Sequence, residues 1–537
     1  MKVESRYTAL DDAASRKRGD ELIAWLRDYG QRRINSRVID ERRTIPPYVA
    51  LDFGNHGIMG MQVEERFGGL ALRNRDLARV LEQAAAIDLA VGTWILICLF
   101  PGIRPIAAFG GDALRAELLP PLAAGRLLAG YGQTEPGAGT HFNVLASTAR
   151  PAGPGRFRIR GDKTWIGNAG WSGVLTVMTQ ELDEDGRRKG LSAFAVRTDR
   201  PGVAFGAELL SMGMRGVIQS EVHFRDVLVD EADRIGARAR GVDVGVDSMS
   251  WSRFAIAATC IGAMKRCVQM ATRFAGRRPI ATGRVLEHPV VRVALAESLA
   301  ETAAAESILY RVADDLDAGR GVSPERFAAC KLVASEFACA TADRTMQILA
   351  SRGYDEENLA PQYLRDARVT RIFEGTSEAL VAFLGAAALT ARSDVYTHLR
   401  EDLGAVGVAE ALFEAGAALK ARRGEDGEEL PRTWQCARAG WAATWALLAA
   451  SLAKDAQAAP SAEAQRRVEW AAGRLEVAIE ACQEASLEER VLLGMPVEKS
   501  VAALAAGIGE PEQAMPGGRL GLDPLLRREA PASDDDR

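Results

Sequence analysis

The chain of 537 residues is 47% apolar and 26% charged, with a formal net charge of -5 and a pI near 5.8, a balance that offers no concentrated basic surface for nucleic-acid phosphates. Its length exceeds one ordinary core, so about two to four domains are expected. Seven scattered cysteines without a Cys-x-x-Cys pair, and five histidines without helical ligand spacing, point to neither a disulfide framework nor a metal site.

In chain order, the polar N-terminus lacks the apolar core of a secretory signal, and a cytoplasmic location is expected by default. Residues 19–62 alternate charged and apolar positions at helical spacing, interrupted by Pro46-Pro47, and helical pattern resumes from 75 to 129 with Pro101 and Pro105 as breaks. Residues 1–130 therefore read as a helical domain. The apolar runs 89–100 and 439–453 fall short of the roughly twenty residues that cross a bilayer.

Character changes at YGQTEPGAGT (131–140), a glycine-rich loop where backbone amides can crowd around a ligand. From 144 to 229, short β-branched and aromatic runs at 157–159, 163–166, 174–178, 191–196, 203–205 and 221–224 alternate with turns, as in a small antiparallel β-barrel or sandwich, and 131–236 reads as a β-domain. After Gly245 the helical period returns in four segments, 249–276, 290–318, 324–350 and 377–391, with breaks at Gly319-Arg320-Gly321 and Gly353. This is a four-helix bundle over 237–392. A helical extension follows over 393–510, interrupted at 423–429 and 459–461, and 511–537 has the composition of a disordered tail. The fold class is thus mainly α with a central β-domain.

Between the last bundle segments lies RIFEGTS (371–377), a carboxylate set between apolar residues and a Gly-Thr-Ser step at a helix start. Such a site suits a general base and an anion, although on these seven residues alone a helix N-cap with a nearby acid is the favoured reading.

Taken together, YGQTEPGAGT, KTWIGN (163–168), RPIATGRVLEH (278–288) and LRD (364–366) with IFEGT (372–376) give the chain its identification: it resembles the acyl-CoA dehydrogenase family over about residues 20–392, and its extra C-terminal helices look like the extension of the very-long-chain branch. The resemblance implies FAD as cofactor, with Tyr131, Gln133 and Thr134 at the flavin edge, and Gly139 and Thr140 near the phosphates or thioester arm. Trp165 becomes a flat wall beside the ring, and Gly167 stands where the family usually carries a hydroxyl near flavin N5. Arg278 and Gln347 reach the pyrophosphate of a neighbouring subunit's FAD, and Thr376 caps the helix that meets the dinucleotide. Glu374 is the implied base, and residues 89–105 with Trp94 line the acyl pocket. Some family members carry the base just before the arginine of the first bundle helix; here that place is Ser252, before Arg253. The implied reaction is α,β-desaturation of an acyl-CoA or acyl-carrier thioester, with an electron-transfer flavoprotein as acceptor and a homodimer or dimer of dimers as assembly.

Departures accompany the match. Besides Gly167, Ala281-Thr282 replaces the usual Phe-Gly, Pro289 a common glutamine, and Ala350-Ser351-Arg352-Gly353 the usual Gly-Gly-x-Gly, three of them in the half-site toward the partner's FAD. A second reading is a decayed family member acting as a scaffold; the retained acid in an apolar setting favours the enzyme. Trp434, Trp441 and Trp445 leave a membrane-surface role open for the extension, with packing on the bundle favoured.

Overall fold

The computed structural model describes residues 2–139, 141, 144–423 and 429–508. Contact density divides the chain into two units, residues 1–422 with 430–483, and 423–429 with 484–537. Thr140 and the tail beyond 508 lie outside the described residues.

The first unit opens with helices α1 (Asp12–Arg33), α2 (Ser36–Arg42), α3 (Pro47–Asn55), α4 (Asn74–Ile87), α5 (Leu89–Ile97), α6 (Arg104–Phe109) and α7 (Asp112–Ala123). Asp88 sets the start of α5, its Oδ1 accepting from the Val91 amide at 2.9 Å. The expected breaks at Pro101 and Pro105 do not occur. A π-turn at Cys98–Ile103 takes in Pro101, and Pro105 sits in the first turn of α6, where no helical donor is missed. The continuous run Leu89–Phe109 is long and apolar enough to cross a membrane, but 94% of its apolar window is buried inside the fold. There Trp94 packs on Phe53, and Phe100 stacks on Trp251 with ring centroids 5.8 Å apart.

The β-domain is one sheet of eight strands: β1 (Ala129–Gly132), β2 (Thr148–Pro151), β3 (Arg156–Gly167), β4 (Val174–Leu182), β5 (Arg188–Arg197), β6 (Val203–Glu208), β7 (Gln219–Asp230) and β8 (Arg234–Ile235). Its order is β6-β7-β3-β2-β4-β5-β8, with β1 added to β4. The expectation of an antiparallel barrel is corrected on two counts. Among the described residues no pairing closes β6 onto β8, and the sheet is mixed, because β4 takes both β1 and β2 in parallel register. Every residue of β4 is buried, the setting in which parallel neighbours are found. Two runs expected as separate strands, 157–159 and 163–166, are one strand, β3, bent by bulges on either side of Gly161-Lys163.

The bundle comprises α8 (Gly241–Arg277), α9 (Pro289–Asp317), α10 (Pro324–Leu349), α11 (Ser351–Tyr354), α12 (Leu359–Thr370) and α13 (Ser377–Ala388). Between α8 and α9 runs a small hairpin, β9 (Pro279–Ile280) with β10 (Gly283–Arg284). The break expected at Gly353 falls at Ala350, whose φ of 53° strains a side-chain-bearing residue, whereas Gly353 sits inside α11.

The extension continues through α14 (Asp394–Thr397), α15 (Val406–Ala421), α16 (Arg432–Ala458) and α17 (Ala462–Gln483). Its α16 packs backbone to backbone on α13: a Cβ on Gly385 would stand 1.8 Å from the Cys436 carbonyl oxygen, and one on Gly440 would stand 2.0 Å from that of Val381. Trp445 meets Phe337 and Trp470, so two apolar faces of the extension are covered within the chain. The second unit carries α18 (Leu487–Leu493) and α19 (Val497–Ile508). Gly440→Ala is expected to force α16 off α13 and lower stability by about 2–4 kcal/mol, read as a fall in the urea midpoint; an unchanged midpoint would show that the two helices are not in register as described.

Candidate active site

The turn after α12 places Glu374 at a left-handed corner: φ is 55° at Glu374 and 97° at Gly375. A glycine is needed at the second position, since any Cβ there has the wrong φ and stands 3.2 Å from Leu380 Cδ2. Two cations grip the corner from outside. Arg253 Nε on α8 donates to the Glu374 carbonyl at 3.1 Å, and Lys331 Nζ on α10 donates to the Gly375 carbonyl at 2.7 Å. Thr376 then caps α13, its hydroxyl accepting from the Ala379 amide at 3.3 Å.

The Glu374 side chain is half-buried, and its Oε2 is shielded with no hydrogen-bond partner. Burial pushes its carboxyl up to about 7, against the pull of Arg253 and then Lys331. Its own backbone amide meets no acceptor among the described residues. The position before Arg253 is Ser252, fully buried with an unpartnered hydroxyl, so that position brings no second carboxylate here.

The glycine-rich loop reaches the same region. Tyr131 on β1 donates to Gln133 Oε1 at 3.0 Å, and its phenol is held well above its ordinary range, first by burial and next by the charge of Glu374. Lys163, wholly buried, ties loop to sheet: Nζ donates to Glu135 Oε1 at 2.6 Å, to the Met178 carbonyl at 2.7 Å and to that of Gln133 at 3.2 Å. The Thr164 amide donates to the Thr134 carbonyl at 2.9 Å. The next residue, Trp165, is turned outward by its bulge with φ of 57° and is 57% exposed, an open indole face beside the loop. Gly139 is exposed with free space around it.

Gly167 lies against α5, where an added Cβ would meet Ile97 Cδ1 at 3.1 Å; the hydroxyl-bearing side chain usual in the family has its place taken by Ile97. Tyr131 lies within electrostatic reach of Glu374, with Gln133 and Thr134 on the same loop, Trp165 and Gly167 on the adjoining β3, and Thr376 two residues beyond Glu374. Arg278 and Gln347 are not brought there. Arg278 ends α8, roughly 37 Å of helix from Arg253 at about 1.5 Å per residue, and Gln347 ends α10. Both are exposed and flank a small satellite core of Ala271, Leu295, Leu349 and Ala360.

Sequence reasoning missed Lys331 and the Lys163–Glu135 pair. A lone lysine in the apolar stretch 327–340 was the available signal for the first; the second joins residues 28 apart and left none.

The acyl-CoA dehydrogenase N-terminal, middle and C-terminal domain models match residues 18–126, 130–227 and 239–389, in that order. The chain belongs to the acyl-CoA dehydrogenase family. It is similar to the mitochondrial very long-chain specific acyl-CoA dehydrogenase of Mus musculus, 30% identical over 377 residues that span 68% of this chain and 57% of that one. An acyl-CoA dehydrogenase of Bacillus subtilis (strain 168) is 28% identical over 66% of this chain and 93% of its own. The crystal structure of acyl-CoA dehydrogenase complexed with FAD from Bacillus anthracis superposes with a TM-score of 0.72 at 21% identity, covering 94% of this chain and 96% of that one. That likeness is one of fold, and its span includes the C-terminal helices.

The raised carboxyl of Glu374 has a measurable consequence for folding. Its folded-state value of about 7 stands above the ordinary 4.5, so the stability it contributes is complete below the lower value and is lost as pH rises through the upper one. Glu374→Gln, an isostere of the protonated acid, should melt with wild type in acid and above it on the alkaline side of neutrality, by about 1–3 kcal/mol. Parallel melting curves at every pH would show that the carboxyl is not raised.

Proposed function

We propose that this chain is an FAD-dependent acyl-CoA dehydrogenase, forming a trans-2-enoyl thioester from a saturated one, with Glu374 as the base that takes the proton next to the thioester carbonyl. The observation that carries the reading is the Glu374 corner: a half-buried carboxyl whose shielded Oε2 and whose backbone amide have no hydrogen-bond partner among the described residues, within electrostatic reach of Tyr131. A C–H next to a thioester is very weakly acidic, and a carboxylate raised toward 7 is a stronger base than an exposed one while still ionised in part at neutral pH. The Glu374 amide is free to donate to the thioester oxygen, on which charge develops as the proton leaves. Ile372 and Phe373 give it apolar neighbours in the chain, Phe373 packing on the main core.

FAD, when bound, supplies the acceptor for the hydride. The residues present fit it: Trp165 offers an exposed flat face, and Tyr131, Gln133 and Thr134 offer a hydroxyl, an amide and backbone groups along the adjoining loop. Gly139 leaves room for phosphate, and Thr376 opens a helix N-terminus. Arg278 and Gln347 serve a second copy's FAD. In support, the surface beside them carries exposed apolar side chains, Val290 at 69% and Tyr354 at 83%, which suits a homodimer. An acyl-CoA is the substrate class and an electron-transfer flavoprotein the partner that reoxidises the cofactor.

Anaerobic addition of an acyl-CoA panel to the purified yellow protein tests this. Wild type should bleach with at least one member. Glu374→Gln should remain yellow and bleach at least about a thousandfold more slowly. Retained bleaching in the variant would remove Glu374 from the role, and a protein that takes up no flavin would end the reading.

A further inference from the structure

Lys331 is the single basic residue in the stretch 327–340 of α10, and its side chain is wholly shielded from solvent. An ammonium is costly to bury, and a leucine or methionine would fill a helix interior of this kind more stably. Among the described residues its ammonium forms no ion pair, and its hydrogen bond goes to the Gly375 carbonyl. The charged and titratable groups facing it are Cys260 and Arg253 on α8, Glu374 on the corner and Glu336 on its own helix. Of the two acids, Glu336 is already held by Arg371 at 2.7 Å and by the Ser377 hydroxyl. Glu374 is the one left without a partner.

We infer that Lys331 is a positioning residue for Glu374: its ammonium clamps the carbonyl one residue on, holds the left-handed corner in place, and lends the carboxylate a buried positive charge. The inference rests on Glu374 being the base. Burial draws Lys331 itself down to about 8, so it is still charged at neutral pH. Burial alone would leave Glu374 protonated and unable to accept a proton; a fixed cation on each side returns part of it to the ionised form. Arg253 supplies one and Lys331 the other.

Infrared difference titration of the FAD-loaded protein reads this without turnover. The band to follow is the protonated-carboxyl stretch that disappears in Glu374→Gln. In Lys331→Met its midpoint should move up by about half a unit or more, since removing a cation disfavours the carboxylate. Lys331→Gln, which keeps an N–H for the Gly375 carbonyl and drops the charge, should shift it likewise, and Lys331→Arg should return it toward wild type. The acid limb of the single-turnover bleaching rate should follow the same order, with rates recovered at higher pH. An unmoved midpoint in folded Lys331→Met or Lys331→Gln would overturn the inference, even if both melt earlier. A midpoint that moves with Lys331 in a protein that no acyl-CoA bleaches would instead sink the dehydrogenase reading and leave the pairing standing.

Discussion

Two adjacent backbone carbonyls, one held by the half-buried Arg253 and the other by the fully buried Lys331, each from a different helix, are the constraint on which the candidate site depends. A carboxyl-bearing residue at φ of 55° is uncommon and costs energy. It persists here because Arg253 and Lys331 pull the corner from α8 and α10, and because Gly375 accepts the second left-handed step. The Glu374 side chain stays within electrostatic reach of both cations, and its shielded Oε2 has no hydrogen-bond partner among the described residues. Strain, desolvation and an unpaired acceptor together are the features that single out this corner as the candidate site.

The other half of the site is carried by the sheet, and several contacts fix sheet to bundle. The loop between β6 and β7 is nailed to α12: the Met214 amide donates to the Asp366 carboxylate, and Arg365 reaches the Met212 carbonyl at 3.3 Å while gripping Asp40 on α2. Asp366 is pushed up to about 8 by burial and then by Asp88, so at neutral pH it is largely protonated and the pin carries little charge. Lys163 plays the matching part on the sheet side, bracing the glycine-rich loop from beneath so that Trp165 emerges beside it. Buried polar pins of this kind stabilise little in net terms, yet they hold two domains in one register.

Much of the architecture was legible in period and punctuation. The helical spacing after Gly245 located α8, α9, α10 and α13 to within a few residues except at the start of α8, and the change of character at Tyr131 marked the start of the sheet. The misses have physical causes. Pro101 reads as a stop, but a π-turn absorbs it; a strand buried on both faces, β4, takes parallel partners that alternation of apolar residues does not reveal. The motif around Glu374 was visible in the sequence as a candidate, whereas the grip of Lys331 on Gly375 joins residues 44 apart and appears only once α10 is packed. Ile97 occupying the space beside Gly167 is likewise a tertiary fact, and it explains how the chain dispenses with a side chain the family usually keeps there.

The central claim is that the Glu374 corner faces the reacting carbon of an acyl thioester. A crystal structure of the protein grown with FAD and an acyl-CoA analogue that cannot be oxidised tests it most directly. The account predicts a Glu374 carboxylate oxygen within about 3.5 Å of the carbon next to the thioester carbonyl, the Glu374 amide on the carbonyl oxygen, and the flavin ring on the opposite face against Trp165. A thioester seated elsewhere, or a flavin that leaves Trp165 in solvent with Glu374 turned from the ligand, would contradict it.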